Sequence, residues 1–389
     1  MTRWTKFVAA VVSVLLALTA CRGAAADDRE GVSLPVAGGD VVSAENFPRL
    51  DSSIRAVGAT AIRVRYKSWS AITGAPTVVG GALFAPIGAP PRHGRTLVVV
   101  AHERAGADVG CAPSQSADLA GLAPIVRNYL QLGYAVAVPD YRGSGPGDGH
   151  VYLDNQTSGR TVLDIVRAAR ASLSDLGSVW VGFGVGEGAG ALWAASESAS
   201  EIPGEVLVGT AVVSPVVSVT DLVQRAAGRT LNDAQKLAYV WVLKGLEASS
   251  PGFEIDDYRR GGASQVWSSL GGCAGADDAR KRALAAVSAD DLVPVDDKAR
   301  RRLLDIAARM DVPSRRALAP MIVYYGGRDT VADPATVHRA IRRACDSGSL
   351  IQEVSQPDRT DAEVDATPYL EWIGHRLSGD PLGRTCGSE

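Results

Sequence analysis

Three glycine- and charge-rich turns carry the residue types that could do chemistry. The first follows the apolar run 179–183 and reads Gly184-Val185-Gly186-Glu187-Gly188. That spacing is the one a sharp strand-to-helix turn needs when it presents a nucleophilic hydroxyl for acyl transfer. The central residue is Gly186, and sliding the register by two puts Gly184 at the centre. Neither has a side-chain oxygen, so no acyl-enzyme can form there. The second turn, after the run 96–101, reads His102-Glu103-Arg104. The third, after 321–325, reads Gly326-Gly327-Arg328-Asp329, and Asp329 is a carboxylate suited to orienting an imidazole. Glu103, Glu187 and Asp329 could instead act as clustered carboxylates, since like charges in a cleft raise one another's pKa. Pairing with Arg104 or Arg328 is the simpler expectation for each.

Other hydroxyls are weaker candidates. Ser144, between Gly143 and Gly145, reads as a turn residue. Ser196 and Ser198 lie too far along the helix that follows the turn. Ser214, before Pro215, ends a strand and would need a nearby histidine. His102 and His150 read as structural loop residues. The glycines at 182–190 match a dinucleotide-binding loop only loosely, because they open the wrong βα unit and no acidic residue ends the next strand. No cofactor is expected.

The elements that must position these turns are short, β-branched apolar runs. Residues 60–66 and 77–84 read as an antiparallel pair. The runs 96–101, 135–139, 179–183, 206–213, 321–325 and 350–354 read as strands, the first of them buried on both faces. Helical patterns at 119–132 and 161–173 alternate with them, which implies parallel βαβ units. The interval 218–314 breaks the rhythm. It is rich in Ala, Arg and Asp, shows no convincing strand, and reads as an inserted helical cap. The fold class is α/β, a mostly parallel sheet flanked by helices. The core is placed at 51–217 and 315–389, and the arm and tether at 21–50.

In sequence order, several motifs resemble the secretory-lipase family of α/β-hydrolases, found in actinobacteria and fungi. They are Gly-Ala-Leu-Phe-Ala-Pro at 81–86, Cys-Ala-Pro-Ser at 111–114 and Pro-Asp-Tyr-x-Gly at 139–143. Ala-Leu-Trp-Ala-Ala at 191–195, Gly-x-x-Asp at 326–329 and Tyr-Leu-x-Trp-Ile at 369–373 complete the set. The resemblance implies ester hydrolysis by a Ser-Asp-His triad. Three positions depart from it. Gly186 stands where the serine belongs. Arg359 stands near the expected histidine, and arginine cannot accept a proton at neutral pH. Glu103 replaces a glycine of the oxyanion loop, and its negative charge would oppose a developing oxyanion. Asp329 alone keeps its place, so an Arg359–Asp329 ion pair is expected. His375, on the last helix, reads as a surface or packing residue. The expectation is a silenced hydrolase that holds a lipid or acyl ligand, or a partner. The alternative is an active lipase or esterase with a substitute nucleophile.

The 389 residues carry 46% hydrophobic and 21% charged side chains at a formal charge of -3, a globular composition. That balance disfavours a nucleic-acid binder, which needs a Lys/Arg excess. Residues 1–20 read as an export signal, with Arg3 and Lys6 ahead of an apolar run too short to span a bilayer. The run ends Leu18-Thr19-Ala20-Cys21, which resembles the lipobox of bacterial lipoproteins. Lipidation at Cys21 would hold the protein at the outer face of the plasma membrane. Cys111, Cys273, Cys345 and Cys386 remain, and in an exported chain they suggest two disulfides. Residue order leaves three pairings open. The family resemblance implies Cys111–Cys273 and Cys345–Cys386. No spacing suits a metal site.

Overall fold

The computed structural model describes residues 38–141, 151–275 and 278–386, and residues Ala37–Glu389 form one compact unit. Cys21, Ser144 and His150 lie outside the described residues. In chain order the strands are β1 (Val41–Asn46), β2 (Ala59–Trp69), β3 (Pro76–Pro86), β4 (Arg95–Ala101), β5 (Ala135–Pro139), β6 (Leu176–Val185), β7 (Val206–Val213), β8 (Met321–Gly326) and β9 (Ile351–Gln356). They form one sheet in the order β1-β2-β3-β5-β4-β6-β7-β8-β9. The first three, and β3 against β5, pair antiparallel; from β5 onward every pairing is parallel. The fold is the α/β class expected from the alternating runs.

Helices α1 (Ser52–Val57), α2 (Ala123–Gln131), α3 (Asn155–Ser172) and α4 (Glu187–Glu197) precede β7. Between β7 and β8 the described residues form no strand, only α5 (Val219–Ala227), α6 (Asp233–Ser249), α7 (Gly261–Val266), α8 (Asp278–Ala285), α9 (Asp297–Ala308) and short 3₁₀ turns. Helices α10 (Pro334–Asp346) and α11 (Tyr369–Ser378) complete the chain.

Strand β4 shows why its run is unbroken. Leu97, Val99 and Ala101 enter the core shared with α3, α4 and the cap, while Val98 and Val100 enter the core shared with α2 and α11. A strand with successive side chains on opposite faces, both covered, has no polar position to spare. Helix α4 is buried along all of its 11 residues, which is why its sequence, EGAGALWAASE, shows no polar face.

The sheet begins earlier than the sequence suggests. Strand β1, in the segment assigned to the arm, pairs antiparallel with β2. Five of its six residues are exposed, so no apolar alternation marks it. Both disulfides, Cys111–Cys273 and Cys345–Cys386, are formed as the resemblance implied.

Candidate active site at the strand-to-helix elbow

The parallel strands β4, β6, β7 and β8 deliver their C-terminal turns to one edge, where a doubly wound sheet places its ligands. Strand β6 ends at Val185 and α4 starts at Glu187, so Gly186 is the turn. Its backbone sits at φ 56° and ψ -113°, a left-handed conformation that glycine adopts without the Cβ penalty. Its N–H donates to the Val213 carbonyl at 2.9 Å. Gly184 lies inside β6, paired with Val212, so the elbow residue is Gly186. Gly188, one residue into α4, is packed backbone to backbone. A Cβ there would lie 2.1 Å from the Ala101 carbonyl oxygen.

The space a nucleophile would fill at Gly186 is taken by Glu103. A Cβ on Gly186 would stand 2.9 Å from the Glu103 Cγ. The Glu103 side chain is half exposed, with Arg104 Nε 4.0 Å from its Oε1. Partial burial raises its pKa; Arg104 opposes this, while Asp361 and Glu187 add to it. Beneath it, His102 is buried. Its Nδ1 lies 2.5 Å from the Glu103 carbonyl oxygen, and its ring stacks on Tyr141 at 4.2 Å. Tyr141 in turn donates to the His102 carbonyl at 3.0 Å. These contacts make His102 a packing residue of the turn. Glu187 is buried at the N-terminus of α4, and its Oε1 accepts the Leu153 N–H at 3.1 Å. A carboxylate there is favoured by the helix dipole.

Asp329 stands where a triad acid would stand, on the turn after β8. Its Oδ1 accepts the N–H groups of Val331 and Ala332 at 2.8 and 2.9 Å. Burial nevertheless pushes its pKa from 3.8 to about 6, against those two hydrogen bonds and with Asp361 adding like charge. Ser214, at the end of β7, is buried at φ 47°. Its hydroxyl lies beside the Asp329 carboxyl and lowers that pKa slightly, outside hydrogen-bond geometry. Glu103, Gly186, Ser214, Asp329 and Asp361, with Arg104 at the rim, line one cavity of about 190 Å³.

The expected Arg359–Asp329 ion pair is not formed. Arg359 is exposed, and its carbonyl accepts the Arg328 N–H at 2.9 Å while packing over Gly326. That backbone seat leaves the guanidinium outside the cavity, and Asp361, two residues on, lines it instead. The expected pairing with an arginine is seen for Glu103, which has Arg104 beside it. His375 is exposed on α11, its Nδ1 2.6 Å from Asp380. Ser196 is buried within α4 and does not line the cavity. None of the four described histidines lines it either.

The electrostatics give a measurable pH signature. Folding raises the Asp329 pKa, so the folded state binds the proton more tightly than the unfolded chain. This group's contribution is most favourable below pH 4, and it falls as pH rises through 6. Asn keeps an acceptor for Val331 and Ala332 but carries no charge. Asp329→Asn is therefore expected to be more stable than the parent above pH 6, by up to about 3 kcal/mol. The two should converge below pH 4 in urea titrations. A parent that is the more stable of the two at pH 7.5 would contradict the assigned shift.

A family model described as Secretory lipase matches residues 122–385, more than half of the chain. The chain belongs to the secretory lipase family. Among solved structures, this secretory lipase family member is similar to Candida antarctica lipase A in its closed state. The TM-score is 0.73 at 16% identity, covering 90% of this chain and 85% of that one. It is also similar to a ligand-bound form of the rice cell wall degrading esterase of Xanthomonas oryzae. There the TM-score is 0.64 at 16% identity, covering 86% and 95%. At such identities the likeness shows the α/β-hydrolase fold. No curated protein matches the sequence significantly. Membership of a secretory family points to export, and no described helix is long and apolar enough to cross a membrane.

Proposed function

We propose that this secretory-lipase-like protein is a catalytically silent, lipid-anchored member of its family. In this reading it holds a lipid or acyl ligand, or a protein partner, at the cell envelope. The observation that carries the reading is the elbow itself. Gly186 keeps the backbone conformation of a nucleophile turn, has no hydroxyl, and lies under the Glu103 side chain. A working triad needs an ionised acid beside an imidazole. Asp329 shares its cavity with Asp361, and none of the described histidines lines that cavity. A carboxylate over the elbow also opposes the charge that an oxyanion hole must stabilise. At about 190 Å³ the cavity is smaller than the roughly 300–1,000 Å³ of most small-molecule sites. It suits a short acyl segment, a headgroup or a partner's side chain. Cys21, at the lipobox, would carry the anchor.

The purified protein is expected to hydrolyse p-nitrophenyl butyrate no faster than buffer does. Protein extracted from the membrane is expected to show an intact mass increased by acyl chains on Cys21. Turnover above background, or an unmodified Cys21, would overturn the corresponding half of the proposal. Ser214 favours a second reading, an esterase with a substitute nucleophile, because it lines the same cavity next to Asp329. Turnover abolished by Ser214→Ala would establish that reading.

A further inference from the structure

Away from the elbow, the cap and the β2–β3 turn line an open groove of about 540 Å³. Four cations line it, Lys298, Arg301, Arg302 and Arg309, against one carboxylate, Asp305. Lys298 lies three and four residues before Arg301 and Arg302 on α9, Arg309 follows at the C-cap of that helix, and all four are exposed. Arg302 donates to the Gly252 carbonyl, which fixes that guanidinium at the wall of the groove. Lys298, Arg301 and Arg309 have no carboxylate partner within 4.0 Å among the described residues, whereas Arg300, pointing elsewhere, is paired with Asp297 at 3.0 Å. Ile72 from the turn and Ile306 from α9 give the groove an apolar side.

A groove that joins unpaired guanidinium groups to apolar side chains is complementary to a phosphate carrying a hydrocarbon part. Its place in the fold points to where that group is met. The folded unit begins at the end of β2 nearest this turn: Gly39 donates to Lys67 at 2.8 Å, and Lys67 donates back to Asp40 at 2.9 Å. Five residues beyond Lys67 the chain reaches Ile72. In the lipid-anchored reading, the chain enters the folded unit at this end of β2.

We propose that this groove docks the protein on the membrane surface by binding the phosphate headgroups of anionic phospholipids. The orientation argument rests on the lipid-anchor reading, but the binding chemistry is independent of it. The test uses the chain from Arg22 onward, which removes no residue of the folded unit and carries no acyl chain. Co-sedimentation is measured with vesicles of equal phosphatidylglycerol and phosphatidylcholine, and with pure phosphatidylcholine, at 0.1 M salt. Binding is expected only to the anionic vesicles and should be lost at 0.5 M salt. Each cation near such a surface contributes roughly fivefold. The Arg301→Ala/Arg309→Ala double variant should thus lose at least tenfold in partitioning. The Arg342→Ala/Arg343→Ala control, on an exposed stretch of α10, should stay within about twofold.

Equal loss in both double variants would overturn the groove in favour of unspecific surface charge. Equal binding to both kinds of vesicle would overturn the headgroup chemistry. Binding of inorganic phosphate with no vesicle binding would overturn membrane docking and leave a soluble-anion site. Because no acyl chain is present, failure here is distinct from failure to find lipid on Cys21.

Discussion

Gly188→Ala is expected to destabilise the protein by about 3 kcal/mol or more, although it adds only a single methyl group. The added Cβ would stand 2.1 Å from the Ala101 carbonyl oxygen and 2.6 Å from that of His102. Neither can yield easily, because Ala101 is held in the sheet against Gly184. On a total stability of roughly 5–15 kcal/mol this is a large fraction. Gly186→Ser is the informative contrast. Its Cβ would meet only the flexible Glu103 side chain, at 2.9 Å, and the left-handed backbone costs a non-glycine residue about 1–2 kcal/mol. Thermal and urea unfolding should rank Gly188→Ala well below Gly186→Ser. A wild-type melt for Gly188→Ala would mean that α4 does not start against β4. The contrast also explains why the glycine skeleton of a nucleophile turn survives without a nucleophile. Gly184 and Gly188 serve helix-on-strand packing, a requirement independent of any chemistry at the turn.

Removing the Cys111–Cys273 bridge, as the double alanine variant, is the second large effect. The bridge spans 162 residues, and the chain-entropy relation assigns a loop of that length about 5 kcal/mol. It also ties the turn after β4 to the cap. Ala107 donates to Gly272 at 3.1 Å, Ala274 donates to Ala105 at 2.6 Å, and Arg280 donates to the Cys273 carbonyl at 2.8 Å. The Cys345–Cys386 bridge closes a separation of only 41, worth about 4 kcal/mol by the same relation, and fastens the C-terminal tail to Ile351. Denaturant titrations of the two double variants should show the larger loss for Cys111–Cys273. A loss below 1 kcal/mol there would show that the cap is held by other contacts.

The central sheet was legible because covered strands leave a plain signature: 135–139 and 206–213 match β5 and β7 to the residue. Strand β1 was not, since an exposed edge strand needs no apolar side chains. The elbow register was open in the sequence because both candidates are glycine; only the positive φ at Gly186 separates it from Gly184 in β6. The loop after β9 misled by two residues. Type and approximate position suggested Arg359, but the backbone seat over Gly326 turns Asp361 into the cavity. Nothing in residue spacing marks that offset. The raised pKa of Asp329 was equally hidden, because it comes from burial and from Asp361 brought near by folding.

The proposed silent elbow requires that no hydroxyl of this protein is activated for attack on an acyl carbon. Incubating the folded, full-length exported protein with an excess of fluorophosphonate and recording the intact mass tests it directly. An unshifted mass is expected, equal to that of a sample unfolded before the probe was added. A stoichiometric adduct on the folded protein alone, mapped by peptide sequencing to Ser214 or any other serine, would contradict it.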